Sequence, residues 1–370
     1  MRLMEPAKNL VAFGHFPRPA LLKLDAAAGE AACRLDVVED ADAAGHWLDE
    51  HQVCAILLDT QRQDAAGVAI DARSRADSAR VPIIGLTSAA NDLSFGDVFS
   101  WGGDDVVGLT TNTWGLVRRL RAFPRHAPEA PAAGRGTAVV ADGDRKRRIV
   151  LGRVLRNAGY AVSFAVSGRE AAAQAKQADA SLVFVSAELD DANAELVRSA
   201  RQEFDKPVWI LSCAPKHLKQ ATEELAGVER AAAMDGYAPL ENVVFLANEL
   251  SFTGGASRRS SQRLLFGTTV AFRGAGREVD EFGYSYNISE GGLYVRTLAP
   301  PEDDTVWLEL SPPRSDRRVR LVGSVVWRRG FVAKETATVP PGFGVKIVDG
   351  AAMDLEAWKR GYAAFAQAVS

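Results

Sequence analysis

Arg259 and Arg263, four apart and preceded directly by Arg258, are the side chains in this 370-residue chain best suited to chemistry. A guanidinium presents fixed pairs of N–H groups, keeps its charge and grips phosphate with two parallel hydrogen bonds. Its flat face also stacks on a base through cation–π attraction. No strand pattern separates the two, and in a helical or turn-like lead-in residues four apart project from one side. One hairpin later comes Asn287-Ile288-Ser289-Glu290-Gly291-Gly292. Asn287 offers a carbonyl and an amide that can read a base edge, and Ser289 offers a hydroxyl. Gly291 and Gly292 let backbone approach a ligand closely and can supply positive φ. Alone, the first half reads as a basic linker and the second as a hairpin turn. Together they describe a site for a ligand that carries phosphates and a planar, hydrogen-bonding base.

The elements that must position these residues follow from length and pattern. At 370 residues the chain calls for two or three domains of about 100 to 150 residues each. Hydrophobic residues make up 47% and charged residues 25%, the balance of a globular protein. A net charge of −3 gives no electrostatic case for nucleic acid. The charge is uneven, however. Residues 1–250 hold 28 Lys and Arg against 34 Asp and Glu, while residues 251–370 hold 16 against 13. The basic part is the part with the arginines, which suits an anionic ligand.

Cys33, Cys54 and Cys213 lie in apolar runs without disulfide or metal spacing, so buried thiols in a reducing compartment are expected. No signal peptide is evident at the N-terminus, and no apolar run approaches the roughly 20 residues of a membrane span. A cytoplasmic protein without membrane insertion is the expectation. The five histidines form no evident metal or triad set, and neither a P-loop nor a dinucleotide glycine fingerprint occurs. Gly102-Gly103-Asp104-Asp105 reads as a turn before a strand. No enzyme activity is expected, and no metal.

A Pro/Ala/Gly linker at 124–136 and a Gly/Ser-rich joint at 251–258 cut the chain into three pieces: 1–123, 137–250 and 259–370. The first two alternate short continuous apolar runs with helical patterns, which predicts doubly wound α/β domains with parallel sheets. The third has period-two patterns rich in β-branched and aromatic residues, broken by Gly and Pro turns. That predicts a small antiparallel barrel. A closing helix at Ala351–Val369 carries Leu355, Trp358, Tyr362, Phe365 and Val369 on one face.

The run Val139-Val140-Ala141-Asp142-Gly143-Asp144-Arg145, with Gly159-Tyr160 and Gly168-Arg169-Glu170-Ala171, resembles the start of a response-regulator receiver domain. That family implies an acidic pair holding magnesium, an acceptor Asp, a switch Thr or Ser and a Lys that offsets phosphate charge. Piece two keeps Asp142 but has Ala141 beside it, Ser186 at the acceptor place, Ser212 at the switch and Ala238 at the Lys place. It reads as a pseudo-receiver. Piece one offers Asp59 as acceptor and Thr87 as switch. Yet Gly14-His15 stands for the acidic pair and Leu109-Thr110 for the Lys, so the balance favours a strand-end carboxylate at Asp59.

The third piece resembles the PilZ domain, whose signature is Arg-x-x-x-Arg followed by Asp/Asn-x-Ser-x-x-Gly. Arg259 and Arg263 match the first half; Asn287, Ser289 and Gly292 match the second. Gly292-Leu293-Tyr294-Val295, Val325-Val326-Trp327 and Pro341-Gly342-Phe343-Gly344-Val345 also look like PilZ. The resemblance implies a six-stranded barrel with a C-terminal helix that binds cyclic di-GMP under a mobile arginine lead-in. Arg258 implies two stacked ligand molecules. The expected protein is an effector. Ligand closes the lead-in and reorients the barrel, while the receiver-like domains contact a protein partner or a second copy. The alternatives are a response regulator switched at Asp59, with the barrel as output, and a ligand-free structural adaptor.

Overall fold

The computed structural model describes residues 8–75, 77–109, 113–124, 134–251, 262–331 and 339–369. Contacts divide the chain into two compact units. One holds residues 1–128, 258–332 and 340–370, and the other 129–257 and 333–339.

The first unit opens with five parallel strands: β1 (Lys8–Phe13), β2 (Cys33–Val38), β3 (Ala55–Asp59), β4 (Ile83–Thr87) and β5 (Asp105–Gly108). Their order is β2-β1-β3-β4-β5, the flavodoxin-like arrangement that receiver domains share. Between and after them run α1 (Arg18–Glu30), α2 (Ala41–Glu50), α3 (Ala65–Ser74), α4 (Asp92–Ser100) and α5 (Trp114–Ala122). Leu10, Ala12, Leu57 and Ile84 pack with α1 and α5 on one face. Val11, Phe13, Ile56 and Leu58 pack with α2 and α3 on the other. Both faces are covered, which is why these strands are unbroken apolar runs rather than alternating ones.

The second unit repeats the plan. Its strands are β6 (Thr137–Ala141), β7 (Ala161–Ala165), β8 (Leu182–Ser186), β9 (Val208–Cys213) and β10 (Ala231–Asp235). The order β10-β9-β8-β6-β7 is the same topology read from the other edge. Its helices are α6 (Arg145–Asn157), α7 (Gly168–Gln177), α8 (Ala194–Glu203), α9 (Pro215–Glu224) and α10 (Asn242–Ser251). Ser167 and Asn193 cap α7 and α8 by accepting from the backbone N–H three residues on.

The rest of the first unit is a barrel. Its strands are β11 (Leu264–Leu265), β12 (Thr269–Gly274), β13 (Glu281–Ser289), β14 (Gly292–Arg296), β15 (Thr305–Leu310), β16 (Val319–Arg329) and β17 (Gly342–Gly350). Six close on themselves in the order β13-β12-β15-β16-β17-β14, with β14 returning to β13. The two-residue β11 adds to β13. Alternate residues such as Val306, Leu308, Leu310, Leu321 and Val345 fill the interior. The closing helix α11 (Ala352–Val369) caps it. Trp358 and Tyr362 are buried and Phe365 packs at the edge. Val369 is 49% exposed, so the apolar face expected from its spacing runs off the barrel before the last turn.

The first α/β domain and the barrel meet around one buried arginine. Arg119 on α5 is 2% exposed and satisfies all five of its N–H donors. Its Nε donates to Asp105 Oδ2 at 2.7 Å. Nη1 donates to Gly115 O at 2.9 Å and to Glu281 Oε2 at 3.5 Å. Nη2 donates to Phe282 O at 3.2 Å and to Thr297 Oγ1 at 2.9 Å. Asp105, the first residue of edge strand β5, is fully buried. It also accepts from Thr297 Oγ1 at 3.1 Å and from Leu298 N at 2.8 Å. Burial pulls the Arg119 guanidinium down, but Asp105 and Glu281 outweigh it and hold it above its ordinary value. Arg118 adds an ion pair to Glu281 and a hydrogen bond to Pro300 O.

Apolar contacts surround this core. Tyr284 lies between Phe95 and Phe99 of α4, with ring centroids at 5.3 and 5.6 Å. Arg296 stacks its guanidinium 3.5 Å from the Phe99 ring centroid and donates to Gly103 O at 3.1 Å. Leu298 enters the α/β core itself, and Phe331 packs against it. Replacing Arg119 by Ala leaves Asp105 buried without its cation and Glu281 with Arg118 alone, a change that costs about 3–5 kcal/mol. Denaturant unfolding of Arg119→Ala is expected to show that loss in the transition of the first unit.

Candidate functional site

The strand β13 turns through Glu290-Gly291 into β14, and this turn carries most of the residues singled out from sequence. Asn287 is 5% exposed and sits across from Tyr294 on one side and Leu265 on the other. A register shift between Ser285 and Asn287 marks a bulge that re-aims the strand just before the turn. Ser289 Oγ donates to Gly292 O at 3.2 Å, closing the turn on itself. At Gly292 an added Cβ would lie 2.1 Å from Val345 O, so only glycine lets β17 come this close. Gly291 has open space around it, and its carbonyl accepts from Ile347 N at 2.9 Å.

The arginine half reaches the turn through β11. Leu264 pairs with Ile288 and Leu265 with Asn287. One step further in that antiparallel register, Arg263 stands across from Ser289. Arg263 is exposed, and Arg258 and Arg259 lie outside the described residues, as do the Gly254-Gly255 joint and residues 125–133 of the expected linker. Helix α11 holds both halves at once. Tyr362 OH donates to Gln262 O at 2.8 Å, and Trp358 Nε1 donates to Glu290 O at 2.9 Å. Sequence spacing marked these two aromatics as the apolar face of a helix. Their polar tips, which tie lead-in and turn to one support, gave no separate signal.

A closed six-stranded antiparallel barrel with a C-terminal helix and this turn is matched, over residues 257–360, by the family model described as the PilZ domain. Residues 257–360 are a PilZ domain. Among curated proteins, none matches the chain. Solved structures similar to parts of it include the receiver domain of a sensor histidine kinase from Pseudomonas aeruginosa, 21% identical with a TM-score of 0.29. That match covers 31% of this chain and 95% of the other. A response regulator/GGDEF domain protein is 18% identical over 66% of this chain and 98% of its own, with a TM-score of 0.31. The Bacillus subtilis inhibitor of motility is 18% identical over 30% of this chain and 53% of its own, with a TM-score of 0.25. The strand order of the two α/β domains is that of the flavodoxin-like fold, which receiver domains share. A PilZ domain binds a ligand and is not catalytic.

The α/β domains place their candidate residues differently. Asp59 ends β3, and its Oδ1 accepts from Gln61 N at 3.0 Å. Gly14 has φ +152°, and a Cβ there would lie 2.4 Å from Asp59 Cβ. No acid can stand at that position without displacing Asp59. Thr87 donates its hydroxyl to Ala89 O at 3.3 Å. Among the described residues no group of three or more His, Cys, Asp or Glu could hold a metal ion. Among them, too, no helix is long and apolar enough to cross a membrane.

In the second α/β domain an arginine pairs with the retained acid. Arg147 of α6 lies with Nε 3.1 Å from Asp142 Oδ2, donates from Nη2 to Ser212 Oγ at 3.0 Å, and lies 3.7 Å from Glu188. Asp142 is 1% exposed and also accepts from Asp144 N at 2.8 Å. Burial pushes its carboxyl above the ordinary carboxylate value, against the opposing pull of the Asp144 N–H and Arg147. The folded state therefore holds this proton more tightly than the unfolded chain. The burial penalty is fully present above the folded pKa, is relieved as pH falls through it, and is gone below the unfolded value. Asp142→Asn, which keeps the acceptor for Asp144 N, is expected to raise the melting temperature of this domain at neutral pH. The gain should shrink as pH falls through the carboxylate range. A variant that melts lower than wild type at neutral pH would show that the Arg147 pairing dominates.

Proposed function

We propose that this protein is a non-enzymatic effector that binds cyclic di-GMP at its PilZ domain. The observation that carries the reading is the PilZ match over residues 257–360. It is supported by the β11–β13 register, which brings Arg263 to the Asn287–Gly292 turn. In this reading Arg259 and Arg263 clamp phosphates and stack on guanine faces, and Asn287 and Ser289 meet a guanine edge. Gly291 and Gly292 keep side chains out of the ligand's way. Arg258 favours two stacked ligand molecules per domain.

The lead-in begins where the second compact unit ends, at residue 257. Closure of Arg258–Arg263 over the ligand then acts on the joint between the units, and this is how occupancy would reorient the domains. Partner contacts fall to the second α/β domain, or to self-association through it. In the first domain the face formed by α4, β5 and α5 is covered by the barrel through Arg119 and Tyr284. In the second, Phe164, Val166 and Tyr237 are exposed.

Calorimetric titration of the full chain with cyclic di-GMP tests the reading. A charge-assisted phosphate contact is worth roughly 1.5–3 kcal/mol, so Arg259→Ala and Arg263→Ala should each weaken binding by about tenfold or more. The stoichiometry should approach two per chain and fall towards one in Arg258→Ala. A wild type that takes up no ligand, or two arginine variants that bind unchanged, refutes the proposal.

A further inference from the structure

The first α/β domain reaches into the root of the arginine lead-in. Asn91 caps α4 in a capping box with Ser94, and Asp92 occupies the first helical position, where the helix dipole favours a carboxylate. From there Asp92 Oδ1 accepts from Thr269 N at 2.5 Å and from Thr269 Oγ1 at 2.6 Å. Its Oδ2 accepts from Thr268 Oγ1 at 3.4 Å. Both threonines are buried, at 5% and 4% exposure. Between Arg263 and these threonines the chain has no slack. Leu264 and Leu265 pair with β13. Phe266 O accepts from Ser285 Oγ at 2.6 Å, and Thr268 N donates to the same hydroxyl at 2.9 Å. At Gly267 a Cβ would lie 2.6 Å from the Tyr284 ring, so the segment crosses directly over that side chain. Burial, and then the Asp92 charge, push the Tyr284 hydroxyl up to about 12.

We infer that Asp92 is a positioning residue for the PilZ ligand site: a carboxylate of the first α/β domain fixes the root of the lead-in and thereby sets the position of Arg263. The lead-in is held at its far end by Tyr362 on Gln262 O, within the barrel itself. Its near end is held by a different domain. Ligand affinity therefore depends on the α/β domain although that domain need not touch the ligand. By linkage, ligand binding strengthens the grip of Asp92 on Thr268 and Thr269 by the same factor.

The inference rests on the cyclic di-GMP reading, and one titration series separates the two. Wild type, Arg263→Ala, Asp92→Ala, Asp92→Asn and Arg118→Ala are titrated with cyclic di-GMP as full chains, well below their melting temperatures. Asp92→Ala is expected to weaken binding roughly tenfold, within the usual range of coupling between sites. Asp92→Asn retains an oxygen that can accept from Thr269 N and Oγ1, and should bind within about threefold of wild type. Arg118→Ala breaks the same domain contact at Glu281 and Pro300, away from the lead-in, and should lower the melting temperature without changing affinity. A wild type that does not bind overturns the ligand reading and this inference with it. If wild type binds and Arg263→Ala does not, normal affinity in Asp92→Ala overturns the positioning role alone. An equal loss in Asp92→Ala and Arg118→Ala also overturns it, because the effect is then general loosening of the contact.

Discussion

The guanidinium of Arg119 is the interaction on which the first unit depends. A buried charge is tolerable only when paired and fully hydrogen-bonded, because the desolvation of each ion costs several kcal/mol. Here every donor has an acceptor, and the acceptors come from three places: α5 itself, β5 and the barrel. The α/β domain cannot satisfy Arg119 alone, since Glu281, Phe282 and Thr297 belong to the barrel. Nor can the barrel bury Glu281 without the two α5 arginines. The network therefore makes residues distant in sequence into one folded body. It also closes the edge of the parallel sheet at β5, the position where an unpaired strand would otherwise invite association.

Legibility in the sequence followed the range of the interactions. The parallel strands could be read because both faces are buried, and Ile83–Thr87 has no polar face to disguise it. The barrel could be read from alternation, as in Thr305–Leu310, where Val306, Leu308 and Leu310 face inward. The turn at Asn287–Gly292 announced itself because its chemistry is local. The domain contact did not. Asp105 lay in a Gly-Gly-Asp-Asp run that reads as a turn before a strand, and Gly102 does adopt φ +83° there. What the run could not reveal is that Asp105 faces Arg119 and Thr297, the latter 192 residues away. A pair at that separation leaves no period and no spacing to count. The same holds for Asp92, which looks like any acidic residue at a helix start until Thr269 is placed against it.

The two α/β domains depart from the receiver pattern by different physical routes. In the first, the place of the acidic pair is closed sterically, by the approach of Asp59 to Gly14. In the second, the retained acid is paired electrostatically, by Arg147 between Asp142 and Ser212. A guanidinium tethered to α6 needs no binding equilibrium and does not come and go with a phosphoryl group. Both arrangements leave strand order, helices and core intact, because the core clusters do not include these residues.

The root of the lead-in is anchored by the fold, and that bears on what binding would cost. Binding a ligand with a free loop carries the full entropy of ordering that loop. Here Gln262 and Thr268–Thr269 are tied down beforehand, by Tyr362 and Asp92 respectively. In the cyclic di-GMP reading, the stretch from Gln262 to Thr269 then adds little to the ordering cost of binding. Arg263 thus stands on a stretch that the fold itself ties down at both ends.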